Sequence, residues 1–247
     1  MRYFYIEQSE AAQPTPVITG TDARHIKSVL RLKPGDKIGL FDGKGFDYEA
    51  RIVMLSPGRV EISVVDRFPS KAESPVQITV AQAYLKDKKM DALVRQVTEL
   101  GIYRWIPFIS ERSVPRPDSK RLSTRMERWR KIAKEALKQC KRGRLTEIGE
   151  TVSFDEVLHL GRAGDLKIAF WENESGPIKS ILPPASENPL VGIFLLIGPE
   201  GGFTSLEIKR ARTFGFVTAA LGPRILRAET ATLAACTLLQ YLFGDMG

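Results

Sequence analysis

Apolar and polar positions follow one rhythm up to about residue 70 and another beyond it. The early part reads as short strands at 2–6, 37–41, 46–55 and 60–68. Asp42-Gly43-Lys44-Gly45 and Ser56-Pro57-Gly58 supply the turns between the last three. One short helix is expected at 22–32, where Ile26, Val29 and Leu30 share a face, before Pro34-Gly35 stops it. Several strands with frequent turns predict a small β-barrel over 1–70. The polar, proline-bounded segment 69–75 is the best linker in the chain.

From 76 onward, strand patterns alternate with helical ones. Strands are expected at 76–84, 105–109, 166–171, 190–197 and 216–221. Helices are expected at 88–100, 153–160, 204–214 and 228–243. The helix at 88–100 has Met90, Leu93, Val94, Val97 and Leu100 on one face and Gly101 at its end. A further helix carries the stripe Met126, Trp129, Ile132, Ala133, Ala136, Leu137 and Cys140, and Thr124 and Glu127 have capping-box spacing at its expected start. Thr204 and Glu207 repeat that spacing. This alternation predicts an α/β domain over 76–247 with a mostly parallel sheet.

Composition narrows the class. A chain of 247 residues with 43% hydrophobic and 27% charged residues has the makeup of a globular protein. Its longest apolar run, near 190–198, is too short to span a membrane, and Glu7 and Glu10 interrupt the place where a secretory signal would lie. A cytoplasmic protein is therefore expected, with no membrane partner. Cys140 and Cys236 are too few for a disulfide framework, and with only His25 and His159 no metal-ligand spacing exists. The net charge is +8, but it is concentrated. Between Arg112 and Arg144 stand thirteen basic residues against three acidic ones, a one-signed stretch suited to a polyanion such as RNA.

Two loops stand out, because ligands of parallel sheets bind beyond the carboxyl ends of strands. One is Gly198-Pro199-Glu200-Gly201-Gly202-Phe203-Thr204, and the other runs from Leu221-Gly222-Pro223 to Ala228-Glu229-Thr230. Neither carries a dinucleotide or phosphate-loop fingerprint. Their glycines permit either a tight turn or close backbone approach to a ligand. Glu229 is the one charged residue from Ala228 through Gly244. It either complements the helix dipole or sits at a buried edge, where Arg227 is the nearest candidate partner. The helix itself is either central core or half of a subunit interface. Cys140 reads as a core thiol, His159 as structural, and Trp171 with Glu172 as candidate pocket residues. His25 has either a local structural role or one on an RNA-facing helix with Arg24, Lys27 and Arg31.

At these loops the sequence resembles a known family. GPEGGF, LGPRILRAETA, RHIKSVLRLKPGD, TELG, SERS and RWRKIAKEALKQCKR occur together and in order, nearly end to end, as in the RsmE family of small-subunit (16S) ribosomal RNA methyltransferases of the SPOUT superfamily. Lys141 departs from it, since the family more often has glycine there. The resemblance implies a PUA-like β-barrel that helps bind RNA, followed by a SPOUT α/β domain whose C-terminal part forms a trefoil knot. It also implies S-adenosyl-L-methionine as cofactor, held by Leu196, Ile197, Gly198, Glu200, Gly201, Leu221, Gly222, Ile225, Leu226 and Arg227. The implied reaction is methylation of the N3 atom of one uridine in the decoding region, on the assembled small subunit, by a homodimer. For this chemistry Arg227 and Glu229 are the candidate catalytic pair, an arginine for charge developing on uracil and a carboxylate for the N3 proton. The candidate RNA contacts are Arg24, His25, Lys27, Arg31, Arg112, Arg116, Arg128, Lys131, Lys134 and Arg142. Two rivals are a ribose 2′-O-methyltransferase of the same superfamily and a non-enzymatic RNA-binding or ribosome-assembly protein.

Overall fold

The computed structural model describes every residue except 1, 87, 88, 115, 117, 175, 177 and 179–191. The chain forms two compact units, Met1–Glu73 with Leu137–Leu145, and Ser74–Ala136 with Thr146–Gly247. A division at 1–70 and 76–247 thus omits a segment of the first unit. Leu137–Leu145 joins it through contacts remote in sequence. Gly45 N–H donates to Gly143 O, and Leu145 N–H to Gly43 O, each at 2.9 Å. Glu73 accepts from Arg144 N at 2.7 Å and from the Arg142 guanidinium at 2.9 Å.

The first unit contains β1 (Tyr3–Tyr5), α1 (Gln8–Ala11), β2 (Val17–Thr19), α2 (Gly20–Arg24), β3 (Lys37–Phe41), β4 (Phe46–Ser56) and β5 (Arg59–Pro69). The sheet runs β1-β3-β4-β5-β2. β1 lies parallel to β3 and the other neighbours are antiparallel. Among the described residues β1 and β2 do not pair, so the expected barrel is a sheet with unjoined ends. Two register shifts in the β4–β5 hairpin let these long strands coil around the core. That core gathers Ile26, Ile38, Leu40, Ala50, Ile52, Val60 and Ile62. The helix expected at 22–32 starts earlier, as α2, and continues as a π-helical turn at His25–Val29. It ends before Arg31, whose φ of 53° is left-handed.

The second unit contains β6 (Gln77–Ala83), α3 (Lys89–Glu99), β7 (Arg104–Ile109), α4 (Ser119–Cys140), β8 (Glu147–Ile148), β9 (Val152–Ser153), α5 (Phe154–Leu160), β10 (Leu166–Phe170), β11 (Gly192–Ile197), α6 (Ser205–Thr213), β12 (Val217–Ala219) and α7 (Ala228–Phe243), with α4 passing into the first unit from Leu137. The sheet order is β12-β10-β11-β6-β7-β8, with β9 also beside β7, and every pairing is parallel. The apolar run of β11 is what a parallel strand covered on both faces requires. Of the strand expected at 190–197, residues 190 and 191 lie outside the described residues, as does 88 of the α3 pattern.

Helix starts follow local chemistry. Ser153 and Thr204 each cap a helix in reciprocal bonding with Glu156 and Glu207. The box expected at Thr124 and Glu127 does not form. α4 begins five residues earlier, where Asp118 Oδ1 accepts from Arg121 N at 2.8 Å, and Thr124 sits inside the helix with its hydroxyl donating to Lys120 O. The α4 stripe buries Met126, Trp129, Ala133, Ala136 and Leu137 as expected, and Cys140 is half-buried. Among the described residues no helix is long and apolar enough to cross a membrane, and no group of His, Cys, Asp or Glu is placed to hold a metal.

Candidate functional site

The carboxyl ends of β10, β11 and β12 open on one cavity of about 550 Å3. From the first glycine loop Ile197, Gly198, Glu200 and Gly201 line it. From the second come Leu221, Gly222, Ile225, Leu226 and Arg227, and Trp171 and Glu172 follow from β10. Leu196 is a correction. It is fully buried in the core with Phe108, Phe194 and Phe203, because successive residues of a strand face opposite sides and Ile197 takes the cavity side.

The first loop is fixed at several points. Gly202 has φ +66°, and a Cβ there would stand 2.1 Å from Glu172 Oε1, so the turn requires glycine and the Glu172 carboxylate packs on its bare face. Glu207, buried at the start of α6, accepts from Thr204 N at 2.9 Å, Ser110 Oγ at 2.9 Å and Glu111 N at 3.0 Å. Arg112 Nη1 donates to Gly201 O at 2.9 Å. Gln82, buried on β6, donates to Gly198 O and accepts from Thr232 of α7. Nothing in the local pattern of β6 or β7 marked Gln82 or Ser110, because their partners lie about a hundred residues away or more.

The acidic residues of the two loops share one cation. Lys89, at the start of α3, stands 3.1 Å from Glu200 Oε1 and 3.4 Å from Glu229 Oε2. Burial would raise the Glu200 carboxyl, but the Lys86 N–H at 3.0 Å, the Glu200 N–H and Lys89 outweigh it and hold the group below the ordinary carboxylate range. Hydrogen bonding to Glu200 in turn raises Lys89 above the ordinary lysine value. The expected Arg227–Glu229 pair is therefore corrected. Glu229 pairs with Lys89 and lines a separate groove between α3 and α7, while Arg227 stays exposed on the cavity rim. Lys89 itself sits on the polar face of an amphipathic helix, where a lysine carries no signal.

Arg24, His25, Lys27 and Arg31 are exposed on the first unit, and Arg112, Arg116, Arg128 and Lys131 on the second. Lys134 is half-buried, and Arg128 is engaged by Asp91 at 2.7 Å. Arg142 is corrected outright. Its side chain is 4% exposed and ion-paired with Glu73, so it holds the first unit together rather than facing a partner. Cys236 is buried, which pushes its thiol up to about 12, and His159 packs edge-on against Phe214.

The fold and this site are those of an RNA methyltransferase. A family model described as an RNA methyltransferase domain matches residues 72–240, and one described as an RNA methyltransferase PUA domain matches 18–65. The chain is 34% identical over 98% of its length to the ribosomal RNA small subunit methyltransferase E of Bacillus subtilis, covering 96% of that protein. It is 29% identical to the enzyme of that name from Buchnera aphidicola, over 98% of this chain and 93% of the other. A ribosomal RNA small subunit methyltransferase E from Neisseria gonorrhoeae, solved bound to S-adenosyl methionine, superposes with a TM-score of 0.85 at 32% identity over both full lengths. The chain belongs to the ribosomal RNA small subunit methyltransferase E family.

Proposed function

We propose that the chain transfers a methyl group from S-adenosylmethionine to the N3 atom of a uridine in 16S ribosomal RNA, on the assembled small subunit. The observation that carries this reading is the cavity lined by two glycine-bearing loops at the ends of β11 and β12, which flank β10. Its residues suit the cofactor. Ile197, Leu221, Ile225 and Leu226 give apolar cover, and Gly198, Gly201 and Gly222 admit close backbone approach. Among the described residues, Nε1 of the cavity-lining Trp171 is buried with no hydrogen-bond partner. A trefoil knot in the second unit belongs to the same reading. β11 and β12 lie on opposite sides of β10, so the chain crosses the sheet between them, which supports it.

The bound cofactor supplies an electrophilic methyl group on a sulfonium. The protein must present N3 in line with it, and the N3 proton passes to water. Arg227 holds a guanidinium on the cavity rim, where it stabilises negative charge spreading over N3 and the flanking uracil carbonyls. Glu229 takes a positioning role. Through Lys89 it ties the first turn of α7 to Glu200 of the other loop.

The active form is a homodimer joined along α7. Leu238, Tyr241 and Leu242 are exposed there, and the apolar α3–α7 groove lies alongside. Leu239 is fully buried within the chain, so a charge at Leu239 would test folding, whereas Tyr241→Glu tests association. The deciding experiment is tritiated methyl transfer to unmethylated small subunits followed by nucleoside analysis. 3-Methyluridine is expected. A 2′-O-methylated nucleoside would make the chain a ribose methyltransferase, and no transfer despite RNA binding would make it a binding protein.

A further inference from the structure

The first unit has a small cavity of its own, about 210 Å3. Four basic side chains from three separate parts of the chain line it. These are Arg2 just before β1, His25 at the opening of the π-helical turn, and Lys138 and Lys141 at the end of α4. Tyr3 and Phe4 form the wall, with the Phe4 ring 6.3 Å from the His25 ring and edge-on to it. Asp22 stands 3.3 Å from Lys138 Nζ and answers part of this charge. Arg24 and Lys27 are exposed on the neighbouring helical turns, and Arg31 just beyond them.

The backbone adds a second, independent observation. Among the described residues, the non-glycine positions with positive φ are Arg31, at 53°, and Lys141, at 62°. Lys141 lines the cavity, and Arg31 follows the lining residue Leu30. Lys141 occupies the left-handed position just after a helix, which glycine fills without strain. Glycine would serve the fold better, so the strain is set against something that the lysine head group does.

We propose that this cavity binds a phosphate of the RNA backbone, with Arg2, His25 and Lys141 as its donors and Lys138 held in place by Asp22. The proposal rests on the reading of the chain as a ribosomal RNA methyltransferase. The space is below the range of about 300–1,000 Å3 typical of sites for whole small molecules, and fits a phosphodiester whose sugar lies on the aromatic wall. Such a contact adds affinity and register without reading sequence.

The test uses the full chain, 16S RNA transcribed in vitro and the variants Lys141→Gly, Lys141→Arg and Arg2→Ala with His25→Ala. Lys141→Gly is expected to raise the melting temperature and to weaken RNA binding several-fold. It should flatten the log–log salt dependence by about 0.7–0.9, the share of one phosphate contact. Lys141→Arg should keep RNA binding, and the double variant should lose more than Lys141→Gly. S-adenosylmethionine affinity should stay the same throughout. If the wild type methylates small subunits while Lys141→Gly and the double variant bind RNA with its affinity and salt slope, the phosphate site falls alone. A wild type that neither binds nor methylates ribosomal RNA overturns both readings. Thermal shift with inorganic phosphate is the remaining arm. Stabilisation that Lys141→Gly abolishes while RNA binding stays intact would mark a free-phosphate site and overturn the RNA assignment.

Discussion

The two loops that face each other across the large cavity are built differently. Residues 198–204 are tied down by Glu207, Arg112, Gln82 and Lys89, and lead into a helix with a full capping box. Among the described residues, 220–227 have fewer such ties. A Cβ on Gly222 would meet nothing within 4 Å, and Ile225 is 84% exposed. Arg227 opens α7 without a side-chain cap. One wall is therefore fixed by the protein's own contacts, and the other leaves apolar surface, Ile225 above all, uncovered. A wall ordered in advance loses little freedom when a ligand binds.

The largest effect expected from breaking this contrast is at Glu207. Glu207→Ala strips the acceptor from three donors, one of them, Ser110 Oγ, buried and two part-buried, and should cost about 3 kcal/mol. Thermal denaturation should show a melting temperature lower by roughly 10 °C. An unchanged value would mean the first loop is not held by this carboxylate. Gly202→Val comes next. It forces a β-branched side chain into left-handed backbone beside Glu172, at about 1–2 kcal/mol of strain, and should lower S-adenosylmethionine affinity in calorimetric titration by more than about tenfold. Gly222→Ala, strained but unobstructed, should do much less.

Ile225→Ala sharpens the comparison from the other side. Its melting temperature without ligand should match wild type, because the side chain is already exposed. Cofactor affinity should fall by up to about tenfold, the burial energy of part of an isoleucine. Equal affinities would show that the second loop does not close over the ligand. The smallest effect is in the acid limb of stability. Glu200 titrates below its ordinary value of 4.5, so its contribution is present above that pH and lost as pH falls through the lowered value. Glu200→Gln should flatten that limb, which denaturation at pH 3 to 5 measures.

Much of this was legible in the chain. α7 appears at its observed bounds because its apolar run is long and flanked by loop chemistry, and the Thr204–Glu207 box was readable because the apolar strand and loop before it left no other start. The same spacing at Thr124 misled, since three residues apart inside a helix looks identical to a cap when the preceding turn is polar. Charge type did not reveal burial. Arg142 looks like its exposed neighbours until Glu73, 69 positions away, is placed beside it. Lys89 and Gln82 were illegible for the same reason. Their meaning lies in partners over a hundred residues distant. β8 and β9 are two residues each, too short for any period to register.

The late segment Leu137–Leu145 has a consequence for synthesis. As the chain leaves the ribosome, its first seventy-odd residues can form their sheet, yet Gly43, Gly45 and Glu73 must wait for partners at 143–145. The N-terminal unit is complete only when more than half of the polypeptide has emerged. A fragment cut at the apparent linker should therefore be born lacking its own final staple.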